Sequence, residues 1–196
     1  GGRYDDVHFG DVLDTLKRFG GEATIDTRVD PAFPRNAIHA TFGIERLAFD
    51  AGRADRKTSD VRGYLGLFGQ TVLAVRGLSI ITNAPLPVYE HSLLGGAPNL
   101  RGYDAGYKAG DNLGAASVEL RIPITSPLNV GRFGVKAFVD WGTIYAVGDK
   151  LSDQTFERGI GGGAYLHLTI VSLSLDVARS QTGNTRFHFG MGVTFK

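Results

Sequence analysis

Along most of this chain apolar side chains recur at every second position, and that period restricts it to β-structure. In the last segment Phe187, Phe189, Met191, Val193 and Phe195 share one face, while Arg186, His188, Gly190, Gly192 and Thr194 share the other. Val171, Leu173, Leu175 and Val177 alternate with Ser172, Ser174, Asp176 and Ala178. The same pattern holds for Phe133, Val135, Ala137, Val139 and Trp141, for Ala116, Val118, Leu120 and Ile122, and for Ile38, Ala40, Phe42 and Ile44. A strand points successive side chains to opposite faces, so each segment has one apolar and one polar flank. Hydrophobic residues make up 42% of the chain, yet mean hydropathy is only −0.05, as interleaving requires. The longest charge-free stretch, Gly159 to Leu175, contains Gly161-Gly162-Gly163 and His167. It is also shorter than the roughly 20 apolar residues of a membrane helix.

Alternation alone also fits a soluble sandwich. Three details favour a membrane barrel. Several runs reach the length of about 9 to 11 residues that a membrane strand needs, against about 5 to 6 for soluble strands. The polar faces carry full charges in mid-strand, at Glu119, Arg121, Lys136, Asp140 and Asp176. Aromatic pairs, Phe133 with Trp141 and Phe187 with Phe195, sit near the ends of apolar faces, as in interfacial girdles. The expected architecture is therefore all-β: an antiparallel transmembrane β-barrel.

The pattern predicts nine strands, at about 22–29, 36–48, 60–68, 72–82, 112–124, 132–144, 158–170, 171–179 and 186–195. Links at 30–35, 69–71, 125–131 and Ile170-Val171 are short, whereas 49–59, 83–111 and 145–157 are long; 180–185 falls on the long side. Outer-membrane barrels have short periplasmic turns and longer extracellular loops. That rule places the C-terminus in the periplasm and residues 1–21 outside, as a loop or the end of a missing strand, with Arg3 to Phe9 as its tail. The expectation is one β-barrel region over 1–196, the C-terminal half of a larger barrel. Arg46 and Arg179 follow the apolar parity but fall at the extracellular ends, within reach of lipid phosphates. The parity around Arg76 is ambiguous.

Enzymatic and nucleic-acid chemistry find little support. The formal net charge is +1, so no basic field points to nucleic acid. There is no cysteine, and His8, His39, His91, His167 and His188 lack ligand spacing, so no metal or cofactor is expected. No G-x-S-x-G elbow, P-loop or H-E-x-x-H motif is present, so no catalytic residue is assigned. Gly159 to Gly163 lies in a strand, where glycine relieves crowding by a loop or neighbour. Asp5-Asp6 reads as a solvated loop. Glu119 and Asp140 could mimic a glycosidase pair, but Arg101 explains them better.

Four motifs carry a family resemblance over nearly the whole chain. The 83–111 loop reads Leu94-Gly95-Gly96 and then Leu100-Arg101-Gly102-Tyr103. The strands after it read Ser117-Val118-Glu119-Leu120-Arg121-Ile122-Pro123 and Ala137-Phe138-Val139-Asp140-Trp141-Gly142. Earlier comes Asp26-Thr27-Arg28-Val29-Asp30-Pro31-Ala32-Phe33-Pro34. In order and spacing these resemble the BamA/TamA superfamily of surface-antigen barrels, which insert or export other proteins at the bacterial outer membrane.

The resemblance implies that the 83–111 loop folds back into the lumen. Arg101 would then meet Glu119 and Asp140 on adjacent strands through its planar fork of donors. Gly102 would permit a tight turn, and Tyr103 would wedge against the interior. From spacing alone Arg101 reads equally well as an exposed loop cation. A second implied element is the C-terminal recognition pattern His188, Gly190, Val193 and Phe195, from which Lys196 departs by following the aromatic. The implied partners are outer-membrane lipids including lipopolysaccharide, substrate outer-membrane or secreted proteins, and periplasmic or lipoprotein components. Alternatives are the membrane anchor of a larger patatin-like lipase, a small stand-alone outer-membrane barrel, or a soluble lipid-binding barrel.

Overall fold

The computed structural model describes residues 1–10, 12–125, 131–168 and 171–193. Ten strands form one antiparallel sheet: β1 (Gly2–Phe9), β2 (Val12–Asp26), β3 (Ala37–Phe49), β4 (Gly52–Gly66), β5 (Val72–Thr82), β8 (Asn112–Thr125), β9 (Gly131–Tyr145), β10 (Glu157–Leu168), β11 (Val171–Ser180) and β12 (Thr185–Val193). They pair in chain order, each with the next, and β1 and β12 are the two edges of an open sheet. The β5–β8 connection carries a separate small hairpin, β6 (Ser92–Leu94) with β7 (Lys108–Gly110). Among the described residues there is no α-helix, only short 3-10 turns at Val88–Glu90 and Leu151–Asp153. The all-β, antiparallel expectation holds.

Strand boundaries differ from the sequence reading at the N-terminal end. The strand expected at 22–29 runs over Val12–Asp26 and forms a hairpin with β1. Gly20-Gly21 interrupts the apolar alternation there without interrupting the pairing with β3. The strand stops at Asp26 because its carboxylate takes the Arg28 backbone N–H at 3.0 Å and turns the chain. The expected long loop 49–59 is a tight turn between Phe49 and Gly52, and β4 starts eight residues before the expected 60. Arg53, Asp55, Arg56 and Lys57 look like loop composition, yet each pairs in register with β3. Among the described residues the large sheet has ten strands, against the nine expected, and β6–β7 add two more. The last expected segment, 186–195, is described to residue 193, so Phe195 and Lys196 lie outside the described residues.

The register sorts the side chains into two faces. The outer face carries Ile38, Phe42 and Ile44 on β3, Val118 and Ile122 on β8, Ile160 on β10, Leu175 on β11, and Phe187, Phe189 and Met191 on β12, all exposed. Phe187 is 73% exposed, Phe189 67% and Met191 69%, so no second sheet covers this row. A sandwich would bury it. Between Phe19–Ile25 on β2 and Phe187–Met191 on β12 no outward position of the belt among the described residues carries Lys, Arg, Asp or Glu. Among the described residues the outward strand charges, including Arg46, Arg158 and Arg179, stand at the ends bearing the 83–111 and 146–156 loops. A continuous uncharged apolar band of this extent is a surface built to meet hydrocarbon.

The inner face is polar in its middle and apolar where the long loop lies on it. Leu94, Leu100 and Tyr103 of the loop pack with Leu113 and Ala115 of β8. Leu86 packs with Leu16, Leu47 and Ala54 of β2, β3 and β4. Arg76, ambiguous in the sequence, points inward: its guanidinium donates to Asp60 at 3.0 and 2.8 Å and to the Pro98 carbonyl.

Candidate functional site: a charge-locked loop on the inner wall

The loop tip is shaped first by its own backbone. Gly96 N–H donates to the Tyr103 carbonyl at 3.1 Å, and Leu100 N–H donates back to Gly96 at 3.1 Å. Asn99 braces this turn, accepting from Gly95 N–H at 2.8 Å and donating to the Leu93 carbonyl at 2.9 Å. The turn aims Arg101 at the wall. Gly102 has φ +95°, and an added Cβ would meet the β11 backbone at Arg179 and Ser180 at 3.0 Å, so only glycine fits. Gly159 of β10 faces the Arg101 carbonyl so closely that a Cβ there would lie 1.8 Å from it.

Arg101 is almost fully desolvated. Its Nε donates to Asp140 Oδ2 at 2.7 Å and its Nη2 to Asp140 Oδ1 at 2.8 Å, a bidentate fork. Its Nη1 donates to Glu119 Oε2 at 2.7 Å and to Asp176 Oδ2 at 3.2 Å. The Arg101 backbone N–H also donates to Asp140, at 3.0 Å. The guanidinium lies over the Phe138 ring at 3.3 Å. Ser117 Oγ donates to Asp140 Oδ1 at 2.6 Å and holds that carboxylate in place.

Three carboxylates around one cation would leave excess negative charge. Arg121 Nε donates to Glu119 Oε1 at 2.7 Å, and Lys136 Nζ lies 2.9 Å from Asp176 Oδ1 as an ion pair off hydrogen-bond geometry. The cluster is therefore balanced, three against three. Burial discourages the charge on Arg101, but the bonds and field of Asp140 and Glu119 outweigh it and raise its pKa. The cation is permanent.

The neighbouring residues extend the lock. Tyr103 is buried, and its hydroxyl donates to Glu157 at 3.2 Å and to the Arg158 carbonyl at 3.3 Å. Burial raises its pKa and keeps that donor proton in place. Gly102 N–H donates to His188 Nε2 at 3.0 Å, and Arg186 grips Asp104 at 2.8 and 3.0 Å. The loop thus holds β8, β9, β11 and the edge strand β12 together.

The structure brings together Arg101, Gly102, Tyr103, Glu119 and Asp140, the five residues named from the sequence. His188, named as part of the C-terminal pattern, also contacts the loop. Gly190 faces inward beside Ser174, and Val193 ends β12. Asp176 and Lys136 were legible as inward charges on the polar parity, but nothing in the sequence linked them to Arg101.

A second anchor had no sequence signal. Glu90, on the 3-10 turn, is buried between Arg18 Nη2 at 2.6 Å and Arg56 Nη1 at 3.1 Å. Arg56 also pairs with Glu45 at 2.7 Å. Beside it the Tyr89 hydroxyl donates to Asp14, and burial together with that carboxylate pushes the phenol pKa up. The loop therefore delivers a cation to the acidic wall of β8–β11 and an anion to the basic wall of β2–β4. Against the Arg101 anchor lies a cavity of about 430 Å³, lined by Arg62, Tyr64, Arg76, Arg121 and Lys136 among others.

Residues 10–195 match the Omp85 superfamily domain. Among solved structures the chain is similar to the crystal structure of BamA from Haemophilus ducreyi lacking POTRA domains 1-3, with TM-score 0.68 and 19% identity. That match covers 93% of this chain and 42% of the other, so the chain spans less than half the length of that structure. No curated protein sequence matches it. At this identity the structural likeness speaks for the fold, and the domain match speaks for the family. The chain belongs to the Omp85 superfamily, as an outer-membrane β-barrel of the BamA/TamA type.

Proposed function

We propose that this chain is a barrel portion of a protein that assists insertion or translocation of other proteins at the bacterial outer membrane. Its C-terminus faces the periplasm, and its work is mechanical, without covalent catalysis. The observation that carries this reading is the reach of the lock to β12, through Gly102–His188 and Asp104–Arg186. A loop held by buried charges fixes the inner wall. The strand at the end of that wall then presents its backbone for pairing with an incoming strand, as in β-augmentation. Substrate outer-membrane or secreted proteins are the partners this chemistry serves. Periplasmic or lipoprotein components would deliver them.

The test is reconstitution of the full-length protein containing this chain into phospholipid vesicles. An unfolded outer-membrane barrel is added, and folding is followed by heat-modifiable gel migration, with protection of a secreted substrate scored in parallel. The protein accelerates insertion or translocation, and Arg101→Ala slows it. An intact, folded protein that does neither overturns the reading.

A further inference from the structure

We propose that the loop-side rim of β2–β4 binds the phosphate groups of an outer-leaflet glycolipid of the lipid A type. The proposal rests on the reading that the long loops face the cell exterior. On the outer face of β2, Ile25, Ala23, Gly21 and Phe19 lead up to Lys17. On β3, Ile38, Ala40, Phe42 and Ile44 lead up to Arg46. On β4, Leu65, Gly63, Val61 and Ser59 lead up to Lys57, Asp55 and Arg53. Each uncharged run covers seven residues of strand, about 20 Å along the strand at about 3.3 Å per residue. On each of the three strands the cations begin where the uncharged run ends.

The register gathers them. Phe19 lies opposite Arg46, Lys17 opposite Ala48, Ala48 opposite Arg53, and Ile44 opposite Lys57. Arg46 is thus diagonal to Lys17, Arg53 and Lys57, at the spacing of about 7–8 Å typical of diagonal neighbours. Lys17, Arg46, Arg53 and Lys57 are all exposed. The carboxylates facing them are Asp55, which takes the Arg46 fork at 2.7 and 3.0 Å, and Asp6 on the neighbouring β1. At these outward strand positions, among the described residues, four cations face two anions, and Asp50 is exposed in the β3–β4 turn. Among the described residues Lys17, Arg53 and Lys57 hold no carboxylate within hydrogen-bond reach.

The patch is local and directional. Outward positions at the loop ends of β5, β8 and β9 carry no cation, and a smaller pair, Arg158 and Arg179, stands on β10 and β11. At the opposite, turn-side end no outward strand position carries a cation among the described residues; Arg28 and Arg35 stand in the 27–36 turn there, Arg28 held by Asp26 and Arg35 by the Leu67 and Gly69 carbonyls. A surplus of cations directly above exposed Phe19, Phe42 and Ile44 matches a ligand with phosphates on top and acyl chains below. Guanidinium and ammonium groups are the donors that bind phosphate best.

The experiment uses the full-length protein in neutral-detergent micelles, with lipid adducts counted by native mass spectrometry. The probes are lipid A bearing both phosphates and the same lipid with its phosphates removed. The wild type binds the phosphorylated lipid at least about tenfold more tightly, and the combined Arg53→Gln, Lys57→Gln variant loses about tenfold. Lys150→Gln, on a distant loop, binds as the wild type. Heat-modifiable migration confirms that each variant is a folded barrel. A folded barrel that binds both lipids equally, or a double variant that binds as the wild type, overturns the site. Ala51→Cys in the β3–β4 turn tests the orientation separately. Labelling by an impermeant maleimide in intact cells supports it, and labelling only after permeabilisation overturns orientation and site together. Loss of insertion activity with phosphate-dependent binding intact would count against the proposed function alone.

Discussion

Removing the Arg101 guanidinium leaves Glu119, Asp140 and Asp176 facing one another with only Arg121 and Lys136 to offset them. Breaking such a buried set by taking out one partner costs about 3–5 kcal/mol. Arg101→Ala should therefore free the loop and expose it to added protease in intact cells, while Arg101→Lys, which keeps charge but not the fork, gives partial protection. Equal protection in all three proteins would contradict the lock. Gly159→Ala tests the same contact from the wall, since the added Cβ meets the Arg101 carbonyl. It should destabilise the folded barrel by about 1–3 kcal/mol, read as a lower unfolding midpoint in urea. Asp104 is held below its ordinary value of 3.8 by the Arg186 hydrogen bonds. A depressed carboxylate contributes above its unfolded pKa and loses that contribution as pH falls through the folded one. The Asp104–Arg186 contact should thus survive mild acid, with a carboxyl NMR titration midpoint below 3.8 that returns toward 3.8 in Arg186→Gln. Arg101, Glu119 and Asp140 were readable in the sequence because motif and parity agreed. Asp176, His188 and Glu90 were not, because their contact with the loop depends on how the sheet curves round it.

Strand existence followed from period two wherever one flank was purely apolar, as on β8, β9, β11 and β12. It failed on β4, where Arg53 to Lys57 carry charge on both parities. There the outer flank already stands above the apolar belt, so the alternation that marks a membrane strand is gone although the pairing continues. The loop had the opposite difficulty. Its motif was visible, but its second anchor at Glu90 was not. Glu90→Gln should loosen the loop base near Tyr89 and leave the tip held. Hydrogen exchange should then rise around residues 84–91 and stay low at Leu100 to Tyr103. Uniform loosening of both would mean that the loop moves as one rigid piece and the anchors are not separable.

The molecule as a whole is a two-sided wall: an uncharged apolar belt outside, and inside a polar face that holds its own loop by opposite charges at two points. Membrane assembly should respond accordingly to where a charge is placed. Ala137→Arg, at the middle of the outer face of β9, should impair assembly by the cost of about 2–4 kcal/mol expected near the bilayer midplane. The inward Arg132→Gln should be tolerated. The most direct test of the two-sided wall uses the absence of cysteine from these 196 residues, with any cysteine elsewhere in the protein replaced by serine. Single cysteines are placed in turn at residues 186 to 191 of β12 in the full-length protein in lipid bilayers, spin-labelled, and read for collision with oxygen. High oxygen accessibility at 187, 189 and 191 with low values at 186, 188 and 190 is the expected result. Equal accessibility along the strand, or high values at the even positions, would contradict it.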